Sequence, residues 1–438
     1  MISILLLILE YKNIKNNLLY LLIFSLGMIF ILLYQDLLIT YLFNLSAWKI
    51  IFIFLVFFIY FIILELIEDK NFDIYCLTTL VFLGSIILIM CDNLITLYLG
   101  LELQTFSTFI LIAKNRLSIK SSEAGLKYFI LGALSSGFYL LGITVLFLLG
   151  SSLNIGDLVL VSNEFFNSIA LIMITLSFCF KLSLFPLHFW IPDIYEGSSW
   201  DIISLISSLP KISMVSVLIQ LLINSNMILG FSLISIVIGT LGSLNQSKIK
   251  RLLGYSAISH IGFIILGFSL LTSQGFIISN IYLVIYALAM ISIFILIIYS
   301  NFSSKFIIEL GGMKFLSKIF SITLIVLILS IAGIPPLSGF ISKWFLLLTT
   351  IEFHYNISSF IIILFSAIGA GYYLRIVKII YFQRNSSYLV WQNILSNKKE
   401  ISEINIFTLG LLFFISIFLI TNIPFLIDLI SVCSINLV

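Results

Sequence analysis

Stretches of about 20 apolar residues, the length a helix needs to cross the hydrocarbon of a bilayer, follow one another almost end to end in this chain of 438 residues. No room is left for a separate water-soluble domain. The chain is 61% hydrophobic and 9% charged, where a soluble domain carries roughly 25% charged residues. A bilayer core leaves backbone polar groups no water, so spanning segments are helices or closed barrels. The predicted fold class is all-α integral membrane.

Hydropathy and loop punctuation give about 13 transmembrane helices (12–14), at 18–34, 47–67, 74–91, 93–113, 125–150, 166–190, 200–223, 227–244, 254–272, 275–299, 319–350, 357–382 and 405–427. Segment 2–9 is too short to cross alone and reads as the remnant of a first helix. It lacks a basic leader and a small-residue cleavage site, so no removable signal is expected.

Alternate threading puts Lys12, Lys15, Lys70, Lys114, Arg116, Lys120, Lys248, Lys250, Arg251, Lys305, Lys314, Lys318, Arg384, Lys398 and Lys399 on one side of the membrane, with only Lys49 opposite. Such a split is the positive-inside signature. The net charge of +3, spread over short loops, gives no reason to expect nucleic acid. Cys76, Cys91, Cys179 and Cys433 stand singly with no CxxC, so no iron–sulfur cluster, zinc site or disulfide is expected. Nucleotide, flavin and haem motifs are lacking.

Spans 74–223 and 227–382 each hold five helices, and the fourth of each carries proline and a lysine. Lys181 precedes Pro186, and Lys343 follows Pro335 and Pro336. Because five is odd, tandem copies enter from opposite faces, which is the inverted repeat of many transporters. The predicted organisation is 1–73, shortened amino-terminal helices; 74–223, the first five-helix repeat; 224–382, the second; and 383–438, a loop and last helix.

A charge at a helix centre costs about 2.5–3.5 kcal/mol on insertion scales and needs a reason. Glu102, in YLGLELQTFS, lies nine residues into its span and Lys211, in SSLPKISM, ten residues in from the other face, each about 15 Å deep at the helical rise. Lys181, in FCFKLSLFPLHFWIPD, and Lys343, in AGIPPLSGFISKWF, sit at proline breaks, where freed carbonyls require protein or water. One isolated lysine is as readily a snorkelling or structurally paired residue; four deep charges together point to a proton path. Desolvation penalises the charged form of both residue types, which lets such groups exchange protons near neutral pH.

His188, and His260 in GYSAISHIGF, are candidate bridges between the lysines, the alternative being a plain interhelical hydrogen bond. His354 falls in a predicted loop and receives no role. Arg375 and Lys378 read as snorkelling anchors, and Glu123 and Lys127 as a local pair one turn apart.

These segments, with SSEAGLKYFILGALSSGFYLLG at 121–142, KIKRLLGYSAISHIGF at 248–263 and GYYLRIVKIIYF at 371–382, resemble the antiporter-like membrane-arm subunits of respiratory complex I. The resemblance is to the branch holding mitochondrial subunit 2 and bacterial subunit N, and covers about 75–427. It implies fourteen helices, two inverted repeats, and a proton relay in which the family's charged positions fall on Glu102, Lys181, Lys211 and Lys343, with His188 at a further family position. The departure is at the amino terminus, where thirteen spans are found.

The resemblance further implies that this chain holds no cofactor, NADH, FMN, iron–sulfur clusters and ubiquinone belonging to partner subunits. Expected partners are other membrane-arm subunits, accessory subunits and lipids including cardiolipin. Richness in Phe, 41 residues, fits A/T-rich organellar codons and favours the mitochondrial inner membrane with basic loops in the matrix; the alternative is a bacterial plasma membrane. The rival functions are an Mrp-type cation/proton antiporter subunit and a scaffold whose buried charges only bind lipid or neighbouring subunits.

Overall fold

A computed structural model describes residues 46–67, 71–115, 117–149, 153–155, 164–221, 225–299, 306–311 and 318–383, with Gly410, Phe413 and Phe414 as isolated positions. The expected segment 2–9 and span 18–34 lie outside the described residues, as does nearly all of 405–427.

Among the described residues are thirteen α-helices: α1 (Ala47–Leu66), α2 (Phe72–Met90), α3 (Leu94–Ile112), α4 (Ile119–Leu148), α5 (Glu164–Leu182), α6 (Trp190–Gly197), α7 (Trp200–Leu221), α8 (Ser225–Leu244), α9 (Ile249–Ser269), α10 (Ser273–Tyr299), α11 (Lys318–Ala332), α12 (Ser338–Glu352) and α13 (Asn356–Phe382). Nine of them are long and apolar enough to cross a membrane. Eleven expected spans account for twelve of the thirteen, because 319–350 is split in two; 166–190 ends early, at Leu182, and α6 lies beyond it.

The predicted boundaries miss where helices outrun the lipid. Hydropathy starts α4 at 125 and α9 at 254, whereas the helices begin at Ile119 and Ile249. At 30 residues, α4 is about 45 Å long, more than a hydrocarbon core of about 30 Å. Its first turns stand in the basic interface.

Both breaks are built alike. At the end of α5, Ser183 has φ 61°, and Ser183 N–H and Leu184 N–H donate to the carbonyls of Phe180 (3.0 Å) and Cys179 (2.8 Å). At the end of α11, Gly333 has φ 80°, and Gly333 N–H and Ile334 N–H donate to Ser330 (3.0 Å) and Leu329 (3.2 Å). This paired pattern is the Schellman cap. Pro186 and Pro336 each stand three residues past the left-handed residue, where they prevent the helix from resuming in register.

The best-covered stretches of α7, α9 and α10 are each 94% buried, against 33% for α4 and α8 and 28% for α13. The first three therefore form the axis of the molecule, while the others present faces such as Phe129, Leu134, Phe360 and Ile363 outward. Contiguous apolar surface of this kind is a liability in water and the requirement in lipid.

Candidate functional site

Five of the six candidate residues, Lys181, His188, Lys211, His260 and Lys343, are at least nine-tenths buried, and two of them, Lys211 and His260, come from the axis helices. None of the lysines reaches the surface, so snorkelling is excluded for all three.

Lys343 lies two turns into α12, and its ammonium folds back onto the frayed end of α11, donating to the carbonyls of Ala332 (2.8 Å) and Ile331 (3.3 Å). Those carbonyls belong to the last turn of α11, where no intrahelical donor follows and the helix dipole is negative. The approach depends on two glycines. A Cβ on Gly333 would meet Lys343 Cδ at 2.8 Å, and one on Gly339 would overlap the Ser330 carbonyl.

Lys211 projects from mid-α7 toward Tyr286 on α10, with Nζ 3.5 Å from the hydroxyl and 5.5 Å from the ring centre. The Tyr286 ring stacks on His260 of α9 at 5.2 Å and 27°. His260 shares hydrogen bonds with Tyr282 (Nδ1, 2.8 Å) and Tyr373 (Nε2, 3.1 Å). One turn along α9, Phe263 lies under Lys343 Nζ at 5.8 Å. His260 thus stands between Lys211 and Lys343, within electrostatic range of both.

Beside it a cavity of about 10 Å³, lined by His260, Tyr282, Tyr286, Ser330, Gly339 and Ser342 among others, has room for about one water.

The first half of the site is looser than expected. Lys181, in the last turn of α5, has its ammonium over the rings of Phe180 (5.5 Å) and Tyr128 (6.0 Å). Glu102 is half-buried on α3 and accepts from Thr105 Oγ1 at 3.3 Å. No ion pair within 4.0 Å joins Glu102 to Lys181 among the described residues, although each feels the other's charge. Tyr128, whose hydroxyl accepts from Thr108 at 3.1 Å, lies within reach of both groups.

His188 is the candidate the structure leaves apart. It sits in the break between α5 and α6, flanked by the rings of Phe185 (6.2 Å) and Phe189 (4.2 Å), and its buried Nδ1 has no partner. No hydrogen bond or ring contact joins it to any of the three lysines among the described residues. His354 lies in the turn after α12.

Sequence reasoning missed the tyrosines and the basic-face acids. Tyr282, Tyr286 and Tyr373 look like core aromatics at helical spacing, and only the neighbouring helix reveals that they gather around His260. At the basic face, Glu196 receives Lys120 (2.5 Å), Lys248 (2.6 Å) and Arg251 (3.2 Å). Asp193 receives Lys127 (2.8 Å) and Arg251 (3.5 Å). The predicted Glu123–Lys127 pair is present at 2.6 Å but is one edge of this larger network. Burial would raise the Glu196 carboxyl, and the hydrogen bonds from Lys120, Lys248 and Arg251 overcome that and hold it down at about 2. Among the described residues Cys76, Cys91 and Cys179 are not joined in a disulfide, and Cys433 lies outside them.

Comparison with known proteins agrees with this architecture. The family described as "NADH:quinone oxidoreductase/Mrp antiporter, TM" matches residues 91–371. Metridium senile has an "NADH-ubiquinone oxidoreductase chain 2" that is 38% identical over 79% of this chain and 92% of its own length. An "NADH-quinone oxidoreductase subunit N" of Cupriavidus taiwanensis is 35% identical over 71% of this chain and 68% of its own. Among solved structures, a chain of respiratory complex I from Thermus thermophilus superposes with a TM-score of 0.80 at 22% identity, covering 93% of this chain and 92% of that one. A chain of the Mrp complex from a Dietzia species gives 0.80 at 17%, covering 90% and 84%. With deep lysines at two like-built helix breaks and a family match over most of its length, the chain belongs to the NADH:quinone oxidoreductase/Mrp antiporter membrane family.

Proposed function

We propose that this chain is a proton-translocating membrane-arm subunit of a complex I-type NADH:quinone oxidoreductase, with Glu102, Lys181, Lys211 and Lys343 as its relay. The observation that carries the reading is the contact series Lys211, Tyr286 and His260, with a water-sized cavity beside His260 and Lys343 within electrostatic range of it. Residues 74–223 and 224–382 act as inverted repeats, each supplying one broken helix. Redox chemistry belongs to partner subunits, with NADH, FMN, iron–sulfur clusters and ubiquinone held there. The membrane is the mitochondrial inner membrane, with Lys114, Lys120, Lys248 and Arg251 on the matrix side; accessory subunits and cardiolipin cover its lipid-facing helices.

In this mechanism quinone reduction elsewhere alters the field between Glu102 and Lys181, with Tyr128 between them instead of a closed ion pair. A changed proton affinity at Lys181 passes a proton by water to Lys211, then through the Tyr286–His260 junction to Lys343. Lys343 is prepared for a positive charge by the carbonyls of Ile331 and Ala332, and releases it away from the basic face.

Lys211→Met keeps the length and apolar stem of the side chain and removes its ionisable end. The variant is expected to assemble and to lose most proton translocation in sealed vesicles. Full pumping stoichiometry in an assembled Lys211→Met variant rules the route out.

The equal superposition on the Mrp complex chain supports a second reading, a cation/proton antiporter subunit. Sodium-dependent transport without NADH would favour it.

A further inference from the structure

Asp201 is absent from the relay, yet it is 6% exposed and stands in the first turn of α7, one of the three most enclosed of the described helices. It lies at the basic face, where its carboxylate is 3.9 Å from Lys114 Nζ. From it, Ser204, Ser207, Ser208 and Lys211 follow along α7 at steps of three and four residues, the spacing that places side chains above one another on a helix. The distance from Asp201 to Lys211 along the axis is about 15 Å, half a hydrocarbon core.

The serines are at most 1% exposed, and Ser204, Ser207 and Ser208 each donate to a carbonyl one turn back, at 2.6, 3.0 and 2.7 Å. A hydroxyl so engaged keeps its acceptor lone pairs. Helix serines often bond backwards in this way for no further purpose, and an acid in the first turn favours the helix dipole. The stripe alone therefore decides nothing.

The second observation is Tyr195 of α6. It is fully buried, its hydroxyl has no hydrogen-bond partner, and it faces Ser207. A buried hydroxyl left unpaired is costly, and the Ser207 hydroxyl is close enough that a small approach would pair the two. Tyr195 also lies within electrostatic range of Tyr286, the contact of Lys211. The orphan hydroxyl thus faces the serine column at the point where it nears the relay.

We propose that Asp201 is a second residue through which Lys211 is loaded, taking protons from the basic face by way of Ser204, Ser207, Ser208 and Tyr195, in addition to the transfer from Lys181. The carboxylate takes one proton from the basic-side solvent and hands it along hydroxyls and water to neutral Lys211. It is left ionised again beside Lys114, and the net change is one proton moved inward onto Lys211. This rests on the relay reading given above.

The test compares Asp201→Asn, Asp201→Glu, Tyr195→Phe and Lys211→Met in the assembled complex in sealed vesicles, measuring protons translocated per NADH oxidised. Asp201→Asn is expected to lower the yield by part of the loss seen with Lys211→Met, Asp201→Glu to restore it, and the Asp201→Asn/Lys211→Met double variant to add no further loss to that of Lys211→Met. Tyr195→Phe, which removes one unpartnered oxygen, is expected to lower the yield without loss of assembly. It decides the matter if Asp201→Asn fails to assemble. Full yield with Asp201→Asn or Tyr195→Phe, alongside a defect with Lys211→Met, overturns the entrance and leaves the relay standing. Full yield in every variant, Lys211→Met included, removes the relay and the entrance together.

Discussion

Gly339 shows how little freedom the site allows a single residue. Its Cα lies so near the α11 terminus that a methyl group would overlap the Ser330 carbonyl. Gly339→Ala must therefore push α12 away from α11, at about 1–3 kcal/mol for overpacking, and it carries Lys343 off its two carbonyls. The expected result is lower thermal stability of the assembled subunit together with reduced proton translocation; unchanged values of both would contradict the geometry. His260 offers a complementary case. Replacing it by Phe keeps the stacking volume on Tyr286 but strips the partners from the Tyr282 and Tyr373 hydroxyls, each orphan costing about 1–3 kcal/mol. His260→Gln, which can still pair with one of them, should lose less stability in a melting assay and retain more pumping. The lysines were legible in the sequence because a charge in an apolar run is conspicuous. The hydroxyls that surround them were not, because a tyrosine in a buried helix has the same pattern whether or not it meets a histidine.

Among elements, the two breaks were legible from Pro186, Pro335 and Pro336, since proline punctuates helices for steric reasons. Ser183 carried no such signal: it takes the left-handed conformation its counterpart assigns to glycine. The short helix α6 was hidden for another reason. Hydropathy runs straight through 183–189, and nothing in WIPDIYEG announces that Asp193 and Glu196 will gather cations from both α4 and α9. Their placement answers a local need, since Lys248, Lys250 and Arg251 crowd the positive end of α9, where cations are disfavoured. Glu196→Gln should therefore loosen α9 from α6 and lower the melting temperature of the assembled subunit. The carboxyl is held at about 2 against an ordinary 4.5, and a depressed acid stabilises the fold above its unfolded value and loses that contribution as pH falls through its folded one. The stability gap between the native subunit and the Glu196→Gln variant is thus expected to be constant from about pH 5 to 8 and to close between about 4.5 and 2; a gap unchanged at about pH 2 would show that the ion pairs contribute nothing.

At the scale of the molecule, the fold class and the span order followed from hydropathy, because the bilayer imposes both. What hydropathy could not supply was depth in the second dimension, namely which helices are surrounded by protein. α7, α9 and α10 are as apolar as their neighbours, yet they alone form the axis, and Lys211, His260 and Tyr286 come from these three. Their serines, such as Ser204, Ser207, Ser208, Ser256, Ser259 and Ser292, mark interior helices that pack closely and hydrogen-bond in the absence of water. A whole-molecule consequence separates proton transfer from cation exchange: in the proposed path the stretch from Lys211 to Lys343 runs through ammonium, imidazole and hydroxyl groups, with no described carboxylate between them. Exchange of sodium for potassium in the vesicle medium should leave the pumping rate unchanged, and a strict sodium requirement would favour the antiporter reading. The most direct examination of the proton path is a map of the assembled complex at a resolution that shows ordered water. The account predicts water within hydrogen-bonding reach of the ammonium groups of Lys181, Lys211 and Lys343 and in the cavity beside His260; dry apolar packing around all three would contradict it.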